Sequence, residues 1–108
     1  MRFYVLVRQN KLEGEPREIR RMLNEEGPKV ERVLSNYGVR IYGFYGFIPS
    51  QDGSRFMVSE DAPITNGNLE SMKKGVKDIG YDAEGPFEKS DADEFWRTGK
   101  KPDYRRYY

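Results

Sequence analysis

The sequence predicts an α+β domain in which an antiparallel sheet carries two helices on one face. Two observations carry that prediction. Residues 16–37 and 68–79 repeat apolar side chains at three- and four-residue spacing, the period of an amphipathic helix. Around them lie short runs rich in aromatic and β-branched residues, bounded by Gly, Pro, Asn and Asp, which read as strands. A chain of 108 residues can bury about two-thirds of its unfolded surface in one core, so neither a disulfide nor a metal is needed to hold it.

The first strand is RFYVLVRQ, residues 2–9, where Phe3, Val5 and Val7 alternate with Tyr4 and Leu6. Residues 10–14 form a turn, and Pro16 stands where the first position of a helix accepts proline. Ile19, Met22, Leu23, Val30, Val33, Leu34 and Tyr37 then make one stripe with a single polar slot at Glu26. Gly27-Pro28 interrupts this stripe. Proline lacks the donor that a helix interior requires, so the expectation is one kinked helix or two helices meeting at Gly27.

Gly38 caps that segment, and VRIYGFYGFI, residues 39–48, is the second strand. PSQDGS is a hairpin loop turning at Asp52-Gly53, and RFMVS, residues 55–59, returns as the third strand. Leu69, Met72, Val76 and Ile79 mark a second helix, with Asn68 as its expected cap and Gly80 closing it. Residues 82–88 alternate weakly and suit an edge strand, where Pro86 is tolerated. Asp91-Ala-Asp-Glu94 reads as the capping motif of a short helix through Trp96, stopped by Gly99. The order is the ferredoxin-like βαββαβ sandwich over residues 1–89, followed by a short C-terminal helix and a basic, aromatic tail over residues 90–108.

The first two strands are apolar on both faces, whereas a sheet with helices on one side only alternates between apolar and polar. Val39, Ile41, Gly43, Tyr45 and Phe47 are assigned to the helix side. That leaves Tyr4, Leu6, Tyr42, Phe44 and Ile48 as a second apolar face, larger than monomers ordinarily expose. Self-association into a dimer is the first expectation for its cover, the chain's own tail the second, and a stacked ligand the third.

Composition narrows the chemistry. Cysteine and histidine are absent, which removes thiol nucleophiles, the common zinc and haem ligands and the usual neutral-pH proton shuttle. No cofactor is expected. Nineteen basic and eighteen acidic residues nearly cancel, so net charge directs the chain to neither nucleic acid nor membrane. The apolar runs are too short to span a bilayer or serve as a signal peptide, and a cytoplasmic protein is the expectation. Charge is nonetheless segregated. Residues 78–94 hold seven acids and one lysine, and residues 97–106 five bases and one acid. The basic segment is expected to fold back on the acidic one, within the chain or across a dimer.

Gly38-Val39-Arg40-Ile41 opens the second strand with a glycine and two aliphatics; Asp52-Gly53 falls at the hairpin, Glu60-Asp61 at the acidic end of the third strand, and Gly80-Tyr81 before the last. In these features residues 38–81 resemble an ACT domain, a small ligand-sensing fold of the same topology. The resemblance implies a regulatory module that binds an amino acid or similar small molecule near the first turn at a subunit interface, and not an enzyme. The implied ligand-binding positions are Asn10, Lys11 and Gly14 after the first strand and Gly38, Val39, Arg40 and Ile41 at the second. Loop amides and Lys11 would hold a carboxylate, and Arg40 could add a bidentate contact.

The topology is also similar to the dimeric α+β barrels, some of them cofactor-free enzymes. On that alternative Tyr42, Tyr45 or Glu60 would supply acid–base chemistry, although tyrosines in strands are more often core residues. Tyr45-Gly46-Phe47-Ile48 partly matches the RNA-recognition strand pattern. It lacks the preceding basic residue and falls on the wrong strand, which disfavours nucleic acid as a partner; a single-stranded nucleic-acid binder, stacking bases on the sheet aromatics and gripping phosphates with the basic tail, is the remaining alternative.

Overall fold

The computed structural model describes residues 2–10, 13–41, 55–60 and 64–107. Their elements run β1 (Phe3–Arg8), α1 (Pro16–Ser35), β2 (Val39–Ile41), β3 (Arg55–Glu60), α2 (Asn66–Asp78), β4 (Tyr81–Phe87) and α3 (Lys89–Thr98), with a 3-10 turn at Tyr104–Tyr107. The sheet order is β2-β3-β1-β4, and each neighbouring pair is antiparallel. β4 is therefore an edge strand, the position that tolerates Pro86. The turn at Asp52-Gly53 lies outside the described residues.

Helix α1 is continuous through Pro28, not two helices meeting at Gly27. Pro28 and Asn24, whose carbonyl loses its helical donor, are both exposed, so water can serve that carbonyl. Val30 and Leu34 beyond the proline are buried against the sheet, which holds the helix in one piece. The cap of α2 is Thr65 and not Asn68: the Asn68 amide donates to Thr65 Oγ1 at 3.2 Å. Helix α3 begins earlier than its acidic motif, at Lys89, and places Asp91 in its first turn. It ends at Gly99 with φ of 77°, a left-handed conformation in which a Cβ would also meet Arg55 Nη1 at 3.0 Å.

The face assignment of the first strand is corrected. Tyr4 and Leu6, expected at a subunit interface, are 0% exposed and pack with Phe56, Val58 and Tyr81 beneath Val30, Leu34, Met72 and Val76 of α1 and α2. Phe3 and Val5 are the residues that turn to the second face. There they join Met57 and Phe87 beneath Ala92 and Phe95 of α3, with Val7, Trp96 and Tyr104 at the margin. The described part of that face is thus covered by the chain's own C-terminal segment, the second of the three expected covers. Tyr42, Phe44 and Ile48 lie outside the described residues. The reason for the error is geometric: both parities of β1 are apolar, so alternation alone does not say which one meets the helices.

The segregated charges meet within the chain, as expected of the tail. Lys101 Nζ lies 3.3 Å from Glu84 Oε1 on β4, and Tyr104 donates its hydroxyl to Glu84 Oε2 at 2.5 Å. The Tyr104 ring rests 5.6 Å from that of Phe87, and Phe87 meets Phe95 edge-on at 6.1 Å. Arg55 on β3 donates to the Trp96 carbonyl at 3.1 Å, fastening the end of α3 to the sheet.

Candidate functional site

The strand parity that buries Tyr4 and Leu6 carries on to Arg8, which therefore enters the layer between β1 and α1. Its side chain is only 9% exposed. A buried guanidinium needs an opposite charge, and the polar slot in the α1 stripe provides it. Arg8 grips Glu26 with both terminal nitrogens, Nη1 to Oε2 at 2.7 Å and Nη2 to Oε1. Tyr81, the first residue of β4 and the register partner of Arg8, donates its hydroxyl to Glu26 Oε2 at 2.6 Å. The Arg8 guanidinium also lies 5.5 Å from the centre of the Tyr81 ring, within cation–π range. Arg8 Nε is buried with no hydrogen-bond partner among the described residues.

A half-open cleft of about 260 Å³ lies over this cluster, lined by Glu26, Lys29, Val30, Ile79 and Tyr81. Glu26, Lys29 and Val30 come from the middle of α1, Ile79 caps the C-terminus of α2, and Tyr81 opens β4. Ile79 is 36% exposed and forms an apolar lip, whereas Val30 and Tyr81 are buried walls. Lys29 is exposed and makes no ion pair among the described residues.

A second cluster of the same composition sits at the other end of the sheet. Glu60, 3% exposed at the end of β3, accepts hydrogen bonds from Arg2 Nε at 3.1 Å and from the Tyr4 hydroxyl, and Arg2 Nη2 lies 2.8 Å from its Oε1 as an ion pair. Arg2 also donates to the Ile64 carbonyl at 3.3 Å, tying the start of β1 to the segment that enters α2. With its acceptors occupied, Glu60 acts as a clamp.

Burial pushes the hydroxyls of Tyr4 and Tyr81 well above the ordinary tyrosine value of 10.0, and the hydrogen bonds they donate to Glu60 and Glu26 push in the same direction. Folding thus favours the neutral phenols. The stability this contributes is complete below the unfolded value near pH 10 and is lost as pH rises above it toward the folded values. Unfolding free energy should therefore hold steady at about pH 8 and fall beyond about pH 10, and the fall should be shallower in Tyr4→Phe and Tyr81→Phe. Phenolate absorbance of the native protein checks the premise; if all eight tyrosines ionise together near pH 10, it is wrong.

Of the positions expected to bind a ligand, those that are described lie apart within one chain. Arg40 pairs with Ser59, and Ser59 with Phe3, so β2 lies level with the beginning of β1. Asn10 follows the far end of β1, about 16 Å or more away along the strand. Asn10 and Gly14 are exposed, Gly38 is exposed with φ of 71°, and Val39 is 1% exposed in the helix-side core. The side chains of Arg40 and Ile41, and all of Lys11, lie outside the described residues. Arg8, Lys29 and Tyr81 were missed as site residues. The signal was present in Glu26, a charged residue at a buried stripe position, and in Arg8, which shares the parity of Tyr4 and Leu6.

Comparison of the chain with protein-family models, curated proteins and solved structures finds no match. Among the described residues no cluster of three or more acidic side chains is placed to hold a metal ion, and no helix is long and apolar enough to cross a membrane.

Proposed function

We propose that this chain is a small cytoplasmic ligand-binding or regulatory module, built on the ferredoxin-like βαββαβ arrangement, that takes one small molecule in the cleft between α1 and the start of β4. The observation that carries this reading is the cleft itself, where apolar walls from Val30, Ile79 and Tyr81 stand beside a charged group from Lys29. Apolar walls with a few placed polar groups are the usual make-up of a small-molecule site. The ligand class implied by the resemblance, an amino acid or a related small acid, is of suitable size. The reading moves the site from the turn after β1 to the cleft beside it, since Gln9 donates its amide to the Gly80 carbonyl at 3.0 Å and closes that end of the sheet.

A purely enzymatic reading has less support. Of the buried carboxylates, Glu60 has its oxygens occupied by Arg2 and Tyr4, which leaves no free base there.

The test is native mass spectrometry with a mixture of amino acids and small organic acids, followed by amide chemical-shift mapping with whichever compound binds. The expected result is one ligand per chain, with shifts centred on Lys29, Ile79 and Tyr81. The same measurement reports whether chains associate. Binding that maps elsewhere, or no binding from the mixture, would refute the proposal.

A further inference from the structure

The charges around the cleft are unequal. Arg8 and Lys29 are cationic and Glu26 is the single anion among the groups that line or underlie it. Hydrogen-bonding capacity is unequal in the same sense. Glu26 already accepts from Arg8 twice and from Tyr81 once, three of the roughly four lone-pair sites a carboxylate offers. Arg8 retains a buried Nε–H without an acceptor, and the Lys29 ammonium has three donors and no ion-pair partner among the described residues. The cluster therefore carries one positive charge in excess, and its one carboxylate, 31% exposed, is already neutralised by Arg8.

We infer that the cleft selects a small monocarboxylate with a short apolar body. Its carboxylate would pair with Lys29, and its hydrocarbon would lie along Val30, Ile79 and the Tyr81 ring. This inference rests on the reading of the cleft as a ligand site and narrows the ligand's charge. An α-amino acid would bring an ammonium group toward Lys29, where the one carboxylate lining the cleft already has its charge met by Arg8 and keeps about one lone-pair site. A surplus of one positive charge suits a monoanion better than a dianionic phosphate ester.

Hexanoate, norleucine and hexylammonium separate the possibilities, because they share a hydrocarbon chain and differ in head-group charge. Each would be titrated into the full chain at low salt while the amides of Lys29, Val30, Ile79 and Tyr81 are followed. Hexanoate should saturate these shifts, and Lys29→Met should weaken it about fivefold, the scale of one partly exposed ion pair. Lys29 is exposed, so that variant should melt with the wild type. Ile79→Glu supplies an unpaired carboxylate at the lip and should reverse the preference toward hexylammonium. If norleucine or hexylammonium binds the wild-type cleft as tightly as hexanoate, the charge assignment is overturned while the ligand-site reading stands. If none of the three moves the cleft amides, both fall.

Discussion

Glu60→Ala should be among the more destabilising single substitutions in this chain, costing about 2–3 kcal/mol, the upper part of the penalty for leaving a buried donor without its acceptor, since Arg2 is 42% exposed and water can serve its charge. Two donors converge on this 3%-exposed carboxylate, Arg2 Nε and the Tyr4 hydroxyl, and Arg2 Nη2 adds an ion-pair contact. Truncation leaves the Tyr4 hydroxyl inside the core, at 0% exposure, without its acceptor. It also releases Arg2, which loses the anchor that sets its reach to the Ile64 carbonyl. Since domains of this size are stable by about 5–15 kcal/mol, the loss is a large share of the total. Glu60→Gln keeps the shape and can still accept from Tyr4, so it should cost less, about 1–2 kcal/mol. Urea melts of both variants decide the matter. A Glu60→Ala protein within about 1 kcal/mol of wild type would show that the cluster contributes little.

Phe95→Ala should have a somewhat larger effect for a different reason. Phe95 is 2% exposed and is the main ring that α3 lays over Phe3, Val5, Met57 and Phe87. Removing a buried phenylalanine side chain costs about 3–5 kcal/mol through lost burial and the cavity left behind. Here it also loosens the cover of a whole sheet face, so the variant should bind a hydrophobic dye below its melting temperature. Removing residues 100–108 is the informative comparison. It deletes the Tyr104 ring beside Phe87 and its hydrogen bond to Glu84 but leaves α3 in place, so it should cost only about 1–2 kcal/mol. A truncation as damaging as Phe95→Ala would mean that the tail, and not α3, is the principal cover. Should Phe95→Ala fail to accumulate, Phe95→Leu gives the same ranking at smaller amplitude.

The periodic elements were legible because periodicity is a property of neighbours in the chain. The three- and four-residue spacing of Val30, Val33, Leu34 and Tyr37, and of Leu69, Met72 and Val76, located both long helices, and Gly99 marked the end of the third. Glu26 was visible as a charged interruption of an otherwise apolar stripe. Its partner was not, because Arg8 lies eighteen residues away and only the crossing of α1 over β1 brings the two together.

The sequence by itself determined an α+β domain with an antiparallel sheet, the amphipathic faces of α1 and α2 and the attraction between an acidic and a basic C-terminal segment. The tertiary structure alone decided which parity of β1 meets those helices, that α1 passes through Pro28 unbroken, and that α3 shields Phe3 and Val5. The physical reason is common to all three. Local spacing says that a side chain will be buried, but the surface that buries it belongs to an element distant in the chain. Where both faces of a strand are apolar, or a proline can turn its defect toward water, only that distant surface breaks the tie.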